Sequence, residues 1–170
     1  FKIKKKFKII IDCCADPAVE TSKKKIEDVF NNNLKSTLNI LEKTRKDHSK
    51  LIFISSSRVY PINESIKKFK NKKHSSYNEK TKLDGVKSLY GYTKFSSEQL
   101  IEEFSYIFNI KFLINRMGII TGPLQFGKVE QGLISLWLWK HMNKKRIKYI
   151  GYGGKGVQIR DILHVEDFCE

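Results

Sequence analysis

No glycine occurs before Gly85. That excludes, from the first half of the chain, a glycine-rich loop seating a phosphate on a helix N-terminus. No apolar run approaches the ~20 residues that a membrane helix requires. No signal peptide is visible either, because FKIKKKFKIIID passes directly from lysines into an apolar strand; both features predict a cytoplasmic protein with no membrane partner. Cysteine is scarce and odd in number: Cys13, Cys14 and Cys169. The adjacent pair lies in an apolar run and is read as reduced core thiols, with no disulfide. No cysteine–histidine spacing fits a zinc site, so no metal is expected. Acidic residues number 18 against 33 lysines and arginines, a net charge of +15. The excess is mostly lysine spread along the whole chain, whereas a nucleic-acid footprint gathers on one face. It is therefore read as solvated surface with a mild pull on anionic ligands, and no nucleic-acid partner is expected.

What is present suits a folded domain: 170 residues, 40% hydrophobic and 12% aromatic, enough for a real core. Short apolar runs alternate with helical periodicity. KFKIIIDCCA (6–15) reads as a buried strand ending at Asp16-Pro17. Residues 25–47 carry apolar side chains at three- and four-residue steps, an amphipathic helix. KLIFIS (50–55) is a second strand, 62–88 a long polar loop, 89–108 a helix and 110–115 a third strand. Residues 117–130 form a Gly/Pro-punctuated loop, 132–142 an apolar helix and IKYI (147–150) a short strand. GYGGKG (151–156) satisfies G-x-G-x-x-G, but no helix opens after it, so it reads as a turn. Strands alternating with helices predict an α/β fold with a doubly wound parallel sheet, a Rossmann-type core.

Two short segments carry chemistry. In SLYGYTK (88–94), Tyr90 and Lys94 share one face at the start of a helix. A nearby ammonium favours the phenolate, so the pair has the means to move a proton on and off a hydroxyl. The plain alternative is a packed tyrosine and a solvated lysine. ISSSRVYP (54–61) closes a strand, and the carboxyl ends of parallel strands are where such sheets bind ligands. The alternative there is a set of turn-forming serines.

The order of these segments, an aliphatic strand with Ser-Ser-Ser-x-Val-Tyr, then Tyr-Gly-x-Thr-Lys, then Ser-Glu-x-Leu, resembles the NAD-dependent epimerase/dehydratase family of extended short-chain dehydrogenases. The resemblance covers about residues 8–170. It implies Ser56 as the catalytic hydroxyl, Tyr90 as the base and Lys94 as the residue that also holds the nicotinamide ribose of NAD. IDCCADPAVETS (11–22) is similar to the family's fourth-strand segment, placing Cys13, Cys14, Ala15 and Asp16 beside NAD. NLKSTLNILE (33–42) is similar to its Asn-x-x-Gly-Thr helix, with Asn33 at the asparagine and Ser36 in place of the glycine. VQIRDILHVEDF (157–168) resembles a segment whose arginine, here Arg160, meets the nucleotide phosphates, a task that suits the forked donors of guanidinium. GPLQFGKVEQG (122–132) resembles the branch that epimerises CDP-linked sugars at the 2-position, implying Gln125, Phe126 and Lys128 at the nucleotide-sugar site.

Some positions depart from the pattern. Pro61 replaces a small residue, Ile119 replaces an asparagine that contacts substrate, and the interval from Ser56 to Tyr90 is long. Ser57-Arg58 stands where dehydratase members carry Asp-Glu, which favours epimerase over dehydratase. The expected organisation is a partial NAD-binding domain over 1–120, without the family's glycine-rich loop, and incomplete substrate-binding segments over 121–170. Both ends read as cut. The activity implied for the intact protein is epimerisation of a nucleotide sugar through transient oxidation by NAD. A UDP- or GDP-sugar epimerase and a non-catalytic remnant with a polyanion-binding surface remain open. Relatives often dimerise; no interface is located in the sequence, and a homo-oligomer is left open.

Overall fold

A computed structural model describes residues 3–16, 26–62, 77–127, 132–149, 154–155 and 160–170. The chain divides into two compact units, Phe1–Met117 and Gly118–Glu170.

The first unit is built on a three-stranded parallel sheet in the order β1 (Ile9–Asp12), β2 (Lys50–Ser56), β3 (Phe112–Met117). In register, Ile10 pairs with Leu51, and Phe53 with Ile114. These residues share one face, because side chains alternate along a strand. Two helices cover that face. One is α2 (Ser36–Asp47), reached through α1 (Ile26–Phe30) and a wide π turn at Asn31–Lys35; the other is α3 (Leu89–Phe108). Leu41 of α2 and Ile101 of α3 are fully buried against Leu51 and Phe53, with Ile10, Ile40, Leu100, Phe104 and Ile114 packed around them. Each such burial stabilises by roughly 1.5–3 kcal/mol, so this cluster sets the helix–sheet arrangement. On the other face Ile9, Ile11 and Leu113 are exposed.

The helix ends follow from local chemistry. Ser88 caps α3, its hydroxyl accepting from the amide of Gly91 at 3.1 Å, which satisfies one of the donors a helix start leaves open. The helix stops at Asn109 in the left-handed conformation, which asparagine tolerates well. Arg45 and Lys46 in the last turn of α2 suit its negative end.

β1 is shorter than the 6–15 expected from its apolar run. Before Ile9 the chain bonds to the end of α2: Lys43 donates to the Lys5 carbonyl at 2.8 Å, and the Phe7 amide to Asp47 at 3.1 Å. Nor is the strand fully buried. Cys13 and Cys14 are exposed free thiols beyond its end, not core residues.

The second unit has a two-stranded parallel sheet, β4 (Ile119–Thr121) with β5 (Ile162–His164), the helix α4 (Leu133–Met142) and a short helix α5 (Val165–Cys169). β4 lies inside the expected 117–130 loop; three residues are too few to show a period. Gly118 lets the Asp161 carbonyl approach closely, and the Ile119 amide donates to that carbonyl at 2.9 Å. Residues 147–149 of the expected 147–150 strand lie outside any strand. Their apolar character serves packing instead, since Tyr149 meets the edge of Trp137 at 5.6 Å. Residue 150 and most of 151–156, like residues 63–76 of the long loop, lie outside the described residues. No helix among the described residues is long and apolar enough to cross a membrane.

One buried side chain ties the segments of the first unit together. Asn33, in the π turn, accepts from the Asp16 amide at 2.6 Å, donates to the Asp16 carbonyl at 3.3 Å and donates to Thr93 Oγ1 at 3.0 Å. Asn33→Ala leaves these groups without their partner and is expected to cost about 2 kcal/mol. Thermal unfolding followed by circular dichroism should show a melting temperature lower by about 4–8 °C.

Candidate active site

The carboxyl ends of β1 and β2 meet the N-terminal turns of α3. β2 leads into a tight 3₁₀ turn, Ser57–Val59, started by the Arg58 amide donating to Ser56 Oγ at 3.2 Å. That turn packs on α3 at Gly91, where a Cβ would overlap the Arg58 carbonyl. Glycine at this position allows the turn to sit directly on the helix beside Tyr90.

Tyr90 and Lys94 are both buried, one helical turn apart. The Ser56 hydroxyl lies close enough to the Tyr90 phenol to act on its ionisation. Burial raises the phenol above its usual pKa; the Ser56 hydroxyl and the Arg58 charge pull it down and only partly offset burial. Lys94 was expected to supply that lowering, but its ammonium is directed elsewhere. It donates to the Ile54 carbonyl at 2.8 Å and lies 4.4 Å from the centre of the Phe53 ring. Burial pushes its pKa below the usual lysine value, and Asp12, Cys13, Cys14 and Glu98 oppose that shift. Arg58, not named by the sequence motifs as part of the proton machinery, is the charge that acts on the phenol.

The predicted cofactor wall gathers at the same edge. The Cys14 amide donates to Asp12 Oδ1 at 2.9 Å, while Asp12 Oδ2 is buried without a partner among the described residues. Partial desolvation first, then the Asp12 carboxylate, raise the Cys14 thiol pKa, so it stays protonated at neutral pH and is no nucleophile. Cys14, Ala15 and Asp16 line an open hollow of about 600 Å³ with Asn31, Asn32 and Lys35. Ser56, Tyr90 and Lys94 do not line it, so the hollow does not itself mark the reacting centre. Asn33 lies beneath this wall, and its bond to Thr93 joins the wall to the stretch of α3 between Tyr90 and Lys94. Thr93, fully buried, also donates to the Tyr90 carbonyl at 2.9 Å.

The remaining predicted residues belong to the second unit. Gln125 donates to the Ile120 carbonyl at 3.0 Å and accepts from Ser135 of α4 at 3.1 Å, pinning its loop to that unit. Phe126 is 84% exposed, a large apolar ring turned to solvent. Arg160 is half-buried. Lys128 lies outside the described residues. Among the described residues no group of three or more His, Cys, Asp or Glu could hold a metal ion.

Sequence patterns alone missed Arg58, Thr93, Asp12 and the fully buried Glu98. For Glu98 a signal exists: it follows Lys94 by four residues and therefore shares its helix face.

A partly exposed hydroxyl beside a buried phenol and ammonium at the carboxyl edge of a parallel sheet fits the nicotinamide-ribose end of a dinucleotide. The orphaned Asp12 oxygen adds an acceptor at that edge, while the chain has no glycine before Gly85 to build a phosphate loop.

All of the chain, residues 1–170, matches the model of the NAD dependent epimerase/dehydratase family. It is 31% identical over 149 residues to CDP-paratose 2-epimerase of Salmonella typhi, covering 81% of this chain and 44% of that protein. Protein CapI of Staphylococcus aureus is 25% identical over 163 residues, 95% of this chain and 44% of CapI. Among solved structures, UDP-glucuronic acid 4-epimerase from Bacillus cereus, in complex with UDP-glucuronic acid and NAD, superposes with a TM-score of 0.75 at 26% identity, over 95% of this chain and 47% of that one. UDP-glucose 4-epimerase from Thermus thermophilus, in complex with NAD, superposes at 0.77 with 20% identity, over 95% of this chain and 50% of that one, a likeness of fold. The chain spans less than half the length of the curated relatives it matches. On the match along its whole length and the Rossmann-type fold it shares with these structures, the chain belongs to the NAD-dependent epimerase/dehydratase family.

Proposed function

We propose that this chain carries the proton-transfer centre of a nucleotide-sugar epimerase, with a CDP-linked deoxysugar epimerised at its 2-position as the first candidate substrate. The observation that carries this is the placing of the Ser56 hydroxyl beside the buried Tyr90 phenol, with buried Lys94 one turn further along the same helix. The CDP-sugar assignment draws on the similarity to CDP-paratose 2-epimerase and on the Gln125–Phe126–Lys128 segment. In this proposal the first unit is part of an NAD-binding domain and the second contributes substrate-binding segments, with Arg160 toward the nucleotide phosphates. Lys94 and Tyr90 would hold the nicotinamide ribose, and Cys13, Cys14, Ala15 and Asp16, braced by Asn33, would flank the cofactor. NAD, when bound, supplies reversible oxidation of a sugar carbinol.

The chain's own part is proton handling and placement. Tyr90 takes the proton of the sugar hydroxyl and returns it when the carbonyl is reduced. Ser56 orients that hydroxyl and stabilises the carbonyl oxygen by donating to it. Arg58 favours the phenolate by its charge. Lys94 acts as a donor to the ribose, at the cost of a buried ammonium. A UDP-linked sugar is the second reading, favoured by the structural likeness to UDP-glucuronic acid 4-epimerase at 26% identity.

Incubating the intact protein with NAD and either CDP-paratose or UDP-glucose, and separating the products, tests the assignment; conversion of neither sugar overturns it. Tyr90→Phe should abolish turnover, whereas near-normal activity would remove its role. Because burial holds the phenol above its usual pKa, turnover should rise toward alkaline pH. Arg58→Gln removes a lowering charge, so the midpoint of that rise should move to higher pH.

Lys94→Met should abolish turnover and raise the melting temperature near neutral pH. The buried ammonium, its pKa held down mainly by burial, costs stability while charged. The native fold regains stability as pH rises through the lowered pKa toward the ordinary value of 10.5. The advantage of the methionine variant should therefore shrink over the same interval in melting curves recorded as a function of pH.

A further inference from the structure

Beneath the Ser56–Tyr90 pair lies a buried polar cluster that the proposed chemistry does not use. Glu98 of α3 is fully buried. Its Oε1 accepts from Ser55 Oγ at 2.5 Å, and its two oxygens take Arg116 in a fork, Nε at 3.2 Å to each and a terminal nitrogen at 2.9 Å to Oε2. Ser55 and Arg116 are register partners across β2 and β3. One carboxylate from the helix thus bridges a matched pair on two strands, at the residue just before Ser56.

The cluster continues outward. The Arg116 guanidinium lies 5.6 Å from the centre of the Tyr60 ring, and Tyr60 stacks on Tyr77 at 4.3 Å. Burial works against the Arg116 charge more than any one partner supports it, but Glu98 and Tyr60 together outweigh burial and the pKa is raised. Both flanks of the Ser56–Arg58 turn are therefore braced, at Ser55 by Glu98 and at Tyr60 by Arg116. A buried ion pair contributes little net stability compared with apolar side chains of the same volume. What a forked carboxylate–guanidinium contact adds is direction.

We propose that Glu98 is a positioning residue, which clamps the carboxyl end of β2 to α3 and thereby holds Ser56 against Tyr90. This rests on the epimerase proposal only for its catalytic consequence; the clamp itself is a matter of geometry. Among the described residues, the phenol is faced by Ser56 from β2 and Arg58 from the following turn, and by no acidic group. Glu98 acts through the hydroxyl, not by its own charge on the ring. Lys94 is the other charged group of α3 that feels Glu98.

The test is a titration of Tyr90 in the whole chain labelled with ¹³C at the tyrosine ζ carbon, the resonance assigned with Tyr90→Phe. In Glu98→Gln, folded by circular dichroism, the Tyr90 midpoint should rise by about half a unit, as the Ser56 hydroxyl moves away from the phenol and its lowering influence is lost. Ser56→Ala should give a similar rise, and the double variant no more than either alone, because the two act on one interaction. An unchanged midpoint in folded Glu98→Gln, or rises that add, overturns the proposal. Should Glu98→Gln fail to fold, Ser55→Ala decides: a raised midpoint supports the clamp and an unchanged one overturns it. In the NAD-loaded protein with its sugar substrate, Glu98→Gln should lower kcat about tenfold or more with KM little changed. Absence of turnover in the unsubstituted protein refutes the epimerase assignment alone, since the titration requires no activity.

Discussion

Helix α3 enters the carboxyl edge of the parallel sheet so closely that no Cβ fits at position 91, where the Arg58 carbonyl lies. Everything of chemical interest in the first unit depends on that approach. It brings the turn after β2 onto the first turns of the helix, so the Ser56 hydroxyl lies beside the buried Tyr90 phenol. The same helix contributes Lys94 and Glu98 at successive four-residue steps, and all three side chains turn toward the strand ends. A side chain at 91 would push the Arg58 turn away from the helix.

Burial has opposite consequences for the two groups that carry charge. It makes the phenol harder to ionise and the ammonium easier to neutralise. Both effects oppose stability of the charged forms, as expected for groups whose task requires proximity more than comfort. The protein answers with a short hydrogen-bond chain: Asn33 secures the loop after β1 and Thr93, and Thr93 secures the Tyr90 carbonyl. These bonds fix the backbone from which the Tyr90 and Lys94 side chains project.

Much of the first unit is legible in the chain itself. The 89–108 helix coincides with the observed α3, because its serine cap, its long apolar period and its asparagine stop are all local signals. β2 is equally clear from its short continuous apolar run, Leu51 to Ile54, closed by serines. β4 and β5 are not, since three-residue strands have no measurable period and exist only through their mutual pairing. The apolar run at 6–15 overstates β1 because the amide of Phe7 and the carbonyl of Lys5 find partners at the end of α2, far off in sequence. Cys13 and Cys14 look like core by their neighbours and are exposed because the strand ends before them.

Residue types and spacing alone determined the family, the parallel α/β plan and the candidates Ser56, Tyr90 and Lys94, because motif order along a chain survives without coordinates. Only the tertiary structure decided which charge acts on the phenol. Arg58 rather than Lys94 lowers its pKa, since the lysine ammonium is drawn to the Ile54 carbonyl. It alone also disclosed what Glu98 holds beneath the site: the four-residue step from Lys94 gives its helix face, but not its bonds to Ser55 and Arg116 on two strands.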